Sequence, residues 1–415
     1  MTIMPGRKNK RTLPPLSSKE LSELDRWHDS AFISLEEKNE GDGEDKKREV
    51  AFLKEERFRS FPIKQAVYLA AALIENNSTG NKPALVVRDK GVYRISHWAG
   101  KVKEVIKAID DGVDWDGLQK QQVNPLAELF FSVFLDADFR EKLSRINVCK
   151  DLVCGKNVDA DEWVRDLNSR FDELTKKLIE ASQGPQFKKQ LNSYRRVYNK
   201  NRQSLLDYIH QLFESYSRLL VIRLDLSYKT EAMMERLDVT DVGHDEVTVD
   251  DVISHREQFI DYLRENFGKD LRGYVWKLEH GSLKGYHYHT IIFLDGSVYR
   301  EDETIAQILG EQWKETITDN KGLYFNCNAH KEIRYKSCAV GMRSHSDPDL
   351  WDGMHRLIEY LTKPDFWIRL QLPGNRRTFG KGGVPKTTQP KRGRPREKLS
   401  TVSPRQAAKE ASEAR

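Results

Sequence analysis

Two histidines separated by one residue, in the stretch HYHTIIFLDG (287–296), are the first residues here whose types and spacing could do chemistry. In a β-strand, side chains alternate between faces, so His287 and His289 point one way and Tyr288 the other. Alone, such a pair is more readily a polar strand face than a metal site. Glu279 alters the balance. It closes the stretch LRGYVWKLE, eight residues before His287, and the intervening HGSLKGY contains two glycines able to turn the chain. Antiparallel pairing would bring its carboxylate beside both imidazoles, a donor set that suits Mg²⁺, Mn²⁺ or Zn²⁺ with positions left for water or a phosphate oxygen. His280 competes by type, but alternation turns it to the face opposite Glu279.

The second half of the constellation lies some 70 residues on, in HRLIEYLTKPD. Tyr360 and Lys363 are three apart on an expected helix and share a face. A phenol has a reference pKa of about 10 and is a poor nucleophile at neutral pH. A neighbouring ammonium would stabilise the phenolate or the charge developing on phosphorus, and a divalent metal would polarise a phosphate under attack. By itself a YxxK pair is commonly just two exposed residues. Its weight comes from following the E…HxH strands within one expected α/β region.

The elements that must position these residues can be read from periodicity. YRRVYNKNRQSLLDYIHQLFESYSR reads as a basic, aromatic helix, and LLVIRLDLSY as a strand buried at its start and alternating from Val221. After an acidic loop (229–250), SHREQFIDYLRENFG is a helix ending at Gly268, and two strands carry Glu279 and the histidines. A helix over 302–317, strand-like pieces at 323–328 and 332–340, and the helix LWDGMHRLIEYLTK complete a β-α-β-β-α-β-α order. That order matches a ferredoxin-like split βαβ, an antiparallel sheet with helices on one face, in which the strands at 219 and 287 are central neighbours.

With these three motifs in order, the chain resembles the HUH endonucleases of the rolling-circle replication initiator kind, most closely the inovirus-type replication proteins of filamentous phages, prophages and plasmids. The first family motif corresponds to LLVIRLDLSY with Arg223 and Asp225, the second to HYH with Glu279 upstream, and the third to YLTK. The resemblance covers about 190–372. It implies an α+β HUH endonuclease domain that holds Mg²⁺ or Mn²⁺ on Glu279, His287 and His289. Tyr360, aided by Lys363, would nick one strand of origin DNA, leaving a 5′-phosphotyrosine link and a free 3′-OH. Arg223 would contact DNA phosphate, whereas Asp225 is better read as a structural hydrogen-bond acceptor. A single tyrosine in the helix implies a single-tyrosine mechanism. The partners implied are single-stranded and duplex origin DNA, a host polymerase and, since no GxxxxGK[ST] occurs, a host helicase. Mobilisation relaxases and single-tyrosine transposases share this chemistry. A DNA-binding regulator with a degenerate site would leave all the catalytic residue types unexplained, and a zinc hydrolase would leave Tyr360 without a role.

Composition frames the rest. The 415 residues are 38% hydrophobic and 32% charged, enough for a sizeable core beside much polar surface. No apolar run suggests a membrane span or a secretory leader, and four cysteines form no CxxC pair, so an intracellular setting with buried or free thiols is expected, which the resemblance implies is the cytoplasm of a bacterial host. Residues 1–58 read as a weakly structured segment with a charged linker, and 59–185 as a mainly helical domain without a chemical signature. A composition change at SQGPQFKKQ (182–190) precedes the strand-rich region. Tyr194, Arg195, Arg196, Tyr198, Lys200 and Arg202 could line a DNA path by stacking and charge, or form a solvated helix face. Residues 371–415 hold twelve Lys and Arg against three Glu, a net of +9 that leaves residues 1–370 at −4 within a whole-chain +5. The tail from about 373 is expected to be disordered. Its PKRGRPREK, with Arg392, Gly393, Arg394, Pro395 and Arg396, resembles an AT-hook, which lays arginines along the minor groove of A·T-rich DNA.

Overall fold

The computed structural model describes residues 62–80, 82–90, 92–110, 121–147, 152–153, 160–230, 247–281, 285–331, 339–362 and 364–383. The chain divides after Val384, and Pro385–Arg415 forms a second unit that lies outside the described residues.

The first part is mainly helical. Helix α1 (62–78) leads to the hairpin β1 (Val86–Asp89) and β2 (Val92–Ile95), then α2 (His97–Asp110), β3 (Gln121–Val123), α3 (Pro125–Phe134) and α4 (Ala137–Ser144). A short pair, β4 (Ile146–Asn147) and β5 (Leu152–Val153), precedes the long helices α5 (Ala160–Gln183) and α6 (Pro185–Ser215). The composition change at 182–190 proves to be a break between these two helices: Gly184 sits at the cap and Pro185 at the first turn of α6. Proline is pre-set for that position and lacks the N–H that would be orphaned there.

A mixed α+β architecture follows. Strand β6 (Arg218–Tyr228) leads through α7 (Val249–Phe267) to β7 (Leu271–Gly281) and β8 (Gly285–Asp295), then α8 (Asp302–Glu311), which loosens into a π-turn over Gln312–Ile317. Helix α7 starts earlier than its apolar pattern suggests, because Thr248 and Asp251 form a reciprocal capping box. Strands β9 (Gly322–Asn326) and β10 (Gly341–Ser344), helix α9 (Leu350–Thr362), the short α10 (Pro364–Trp367), β11 (Ile368–Leu370) and β12 (Phe379–Lys381) complete the described chain. The sheet runs β10-β6-β8-β7-β12, with β9 also on β6, and every pairing is antiparallel. As expected, β6 and β8 are central neighbours. Of the strand-like stretch 332–340, residues 332–338 lie outside the described residues.

Helices cover both faces of this sheet, not one as expected from the element order. On one face Leu220, Ile222, Leu224, Tyr288 and Ile292 pack with Val252, Phe259 and Leu263 of α7, Leu309 of α8, and Trp313. On the other, Leu219, Val221, Val275, Ile291 and Phe293 pack against Ile209, Leu212 and Phe213 of α6 and against Met354, Leu357 and Leu361 of α9. Hence Leu219 to Leu224 is buried without a break, and alternation begins only at Asp225. Helix α6 lies close: a Cβ on Gly273 would fall 2.6 Å from the Tyr208 hydroxyl. Among the described residues, no helix is long and apolar enough to cross a membrane.

The helical region is joined to the sheet region through the segment after α9. Strand β3 pairs with β11, and Phe366 and Trp367 are buried in the core that includes Phe130, Phe134 and Phe171. Asn124 donates through its backbone N–H to the Trp367 carbonyl (3.0 Å) and through Nδ2 to that of Phe366 (2.8 Å).

Candidate metal and tyrosine site

Register sets the first half of the site. Pairing of β7 with β8 puts Glu279 opposite His287, and pairing of β6 with β8 puts Asp225 opposite His289. One face of three adjacent strands therefore carries Asp225, Glu279, His287 and His289. The ligand atoms of Glu279, His287 and His289 lie within 4.8 Å of one another, with Glu279 Oε2 3.8 Å from His287 Nε2 and 3.6 Å from His289 Nε2. The other ring nitrogens are engaged: His287 Nδ1 is 3.1 Å from the Gly285 carbonyl, and His289 Nδ1 is 2.8 Å from Asp225 Oδ1. A carbonyl can only accept, so His287 Nδ1 carries a hydrogen and Nε2 is turned to the cluster. His280 is not in this group; its ring packs on Tyr286, opposite it in the register.

The donor set fits a metal ion. Both histidines are buried, and Glu279 Oε1 is a buried oxygen with no hydrogen-bond partner among the described residues, which a cation would satisfy. Without an ion the cluster favours a shared proton. Burial opposes charge on His289, but Asp225 and Glu279 outweigh it and raise its pKa to about 9. Burial likewise opposes ionisation of Glu279, yet the two imidazoles, His289 foremost, hold its pKa down at about 2. A bound cation would take the place of that proton.

The second half comes from α9. The Tyr360 ring meets His289 edge-on, centroids 5.2 Å apart, while the Arg223 guanidinium lies 4.1 Å from the centre of the Tyr360 ring. Arg223 also pairs with Asp225 at 3.5 Å. It is 5% exposed, so its charge is spent inside the site and not on an open surface. Burial, with Asp225 next, pushes the Tyr360 phenol well above its ordinary value, so the metal-free site holds it protonated. Asp225 is a hydrogen-bond acceptor as expected, and the group it accepts from is a candidate metal ligand.

Lys363 and the AT-hook-like residues Arg392, Gly393, Arg394, Pro395 and Arg396 lie outside the described residues. The aromatic stretch of α6 serves mostly the interior. Tyr194, Arg195 and Tyr198 are buried; the Tyr198 hydroxyl donates to Glu359 Oε2 at 2.9 Å, and Arg202 also pairs with Glu359. Only Arg196 and Lys200 of that set are exposed. Sequence reading missed Lys277 and Asp365, a buried ion pair beside Glu279. The available signal was a lysine inside the apolar run YVWKLE, where a charge is rarely left without a partner.

Among known protein families, the one described as the YagK/YfjJ C-terminal domain matches residues 181–382. That span is just under half of the chain, begins in the last turn of α5, and holds every residue of the cluster from Arg223 to Tyr360. No curated protein and no solved structure matches the chain.

Proposed function

We propose that the protein is a metal-dependent, single-tyrosine DNA-nicking enzyme of the HUH kind, acting as an initiator of rolling-circle replication. The observation that carries this reading is one tyrosine against a Glu/His/His cluster: Tyr360 touches the ring of His289, a candidate ligand, across the space between α9 and the sheet. The frame supports it: the antiparallel order β9/β10-β6-β8-β7 is compatible with a split βαβ, with α7 and α8 on the face away from the site.

In this mechanism Glu279, His287 and His289 hold the ion, Mg²⁺ or Mn²⁺, whose role when bound is to withdraw charge from a phosphate oxygen of the target strand. Asp225 fixes the tautomer and direction of His289. Tyr360 Oη attacks phosphorus in line; the O–P bond to tyrosine forms as the bond from phosphorus to the 3′ oxygen breaks. The phenolic proton leaves, and the departing 3′ oxygen takes one up, so bonds and charges balance and the strand can be rejoined by reversal. Arg223 places a permanent positive charge over the nucleophile's ring, favouring phenolate over phenol. Lys363 is assigned charge balance on the attacked phosphate. Origin DNA, a host helicase and a host polymerase are the partners of this reading, and the bacterial cytoplasm its setting. A relaxase or transposase would be told apart by the DNA beside the gene, which would carry a transfer origin or palindromic ends in place of a replication origin.

The test is covalent trapping. Single-stranded oligonucleotides from the DNA flanking the gene are incubated with the full chain and Mn²⁺, then resolved under denaturing conditions. The native chain is expected to form an adduct carrying the 5′ phosphate, and Tyr360→Phe none. An adduct that survives this substitution, or cleavage leaving free 5′ ends, sinks the proposal.

A further inference from the structure

The strand that bears Glu279 carries a second charged residue that the nicking steps leave unused. Lys277 lies on the same face of β7, two residues from Glu279, and stands opposite His289 in the register with β8. Its side chain is 1% exposed, and Nζ is ion-paired with Asp365 Oδ1, on a side chain 4% exposed. Asp365 lies in α10, five residues beyond Tyr360. A charge pair this deeply buried is a poor source of stability, because desolvation offsets most of its attraction and apolar residues of like volume often serve as well. What it supplies is direction.

The tyrosine helix is tied to α6 through Glu359, which meets Tyr198 and Arg202, but its docking on the sheet is largely apolar. Helix α9 docks on the sheet through Met354, Leu357, Ile358 and Leu361, whose apolar contacts hold it without specifying its position along its own axis. One helical turn is about 5.4 Å, so a slip of that size re-forms similar contacts yet carries Tyr360 off His289. Just beyond the helix, Asp365 reaches back to β7 while Phe366 and Trp367 enter the helical region's core and pair with Asn124. The end of α9 is therefore held from two sides.

We infer that Lys277 and Asp365 are positioning residues: their buried ion pair locks the C-terminal end of the tyrosine helix to the strand bearing Glu279 and so sets Tyr360 against the metal cluster. This rests on the nicking reading and deepens it.

The test uses the full chain with Lys277→Met and Asp365→Leu combined, an apolar pair in place of the ionic one. The variant is expected to fold and to bind Mn²⁺ as the native chain does, while single-turnover adduct formation falls about 100-fold, the cost of a misplaced nucleophile. A DNA-independent readout accompanies it. With 3-fluorotyrosine at position 360, Mn²⁺ should broaden the fluorine resonance strongly in the native chain and much less in the variant. Asp365→Glu, which keeps both charges on an arm one methylene longer, should fold in any case and slow adduct formation about tenfold. Native rates and native broadening in the variants overturn the inference, as does loss of Mn²⁺ binding in step with the rate, which would assign the pair to the metal ligands. If the native chain forms no adduct at all, the nicking reading fails, and the fluorine readout still decides what the pair does.

Discussion

A proton and a metal ion would compete for Glu279, His287 and His289, which could hold either. His289 must shed its proton to ligate, and its pKa stands at about 9, so Mn²⁺ affinity should rise about tenfold per pH unit below that value and level off above it. Calorimetric titration between pH 6 and 9.5 checks this; a flat profile rules His289 out as a ligand. In the absence of metal the same pair stabilises the fold. An ordinary histidine titrates near 6.5, so the contribution of His289 is complete below that pH and fades as pH rises towards 9. Glu279, held at about 2 against an ordinary 4.5, contributes fully above 4.5 and loses its effect as pH falls towards 2. Urea midpoints of the metal-free protein should thus show a benefit of the pair between pH 4.5 and 6.5 that His289→Ala removes. Asp225→Asn, which replaces the acceptor that orients His289, should weaken Mn²⁺ binding about 10- to 100-fold. Unchanged affinity would reduce Asp225 to a packing role.

At the scale of elements, the segment 364–370 ties the helical region to the tyrosine helix. Asn124 is its hinge pin: fully buried, it donates to the Phe366 carbonyl and accepts from Leu126 N–H at the start of α3. Asn124→Ala leaves a buried carbonyl unpaired and α3 uncapped, which should cost about 1–3 kcal/mol in a denaturation experiment. It should also slow adduct formation, because the end of α9 loses a constraint. Lost stability with an unchanged rate would detach the helical region from the site. The strands bearing Asp225, Glu279 and the histidines were legible as strands, since alternation and β-branched content mark them directly. Their burial on both sides was not: the apolar stripes of α6 and α9 show that each faces something, and only packing reveals that it is the second face of one sheet.

For the whole molecule, charge is divided by region. The last 45 residues carry +9 against −4 for the rest, so non-specific attraction to nucleic acid should reside largely in the tail. Deleting residues 385–415 should weaken binding to A·T-rich duplex and flatten its salt dependence while leaving oligonucleotide nicking in place, measured by filter binding across a salt series. Undiminished duplex affinity would move the binding surface to the folded part.

Residue type and spacing alone were enough to single out Glu279, His287, His289 and Tyr360, because strand alternation and helical periodicity are local properties of the chain. Tertiary structure decided what those residues meet. Register sets Asp225 behind His289; packing of α9 brings Tyr360 to that ring from 71 positions away. Arg223 lies over the tyrosine ring, and Tyr194 and Tyr198, read from sequence as either a DNA path or a solvated face, lie in the interior. The Lys277–Asp365 pair spans 88 positions and follows no local pattern. A buried charge reports that a partner exists, and only the fold says which one.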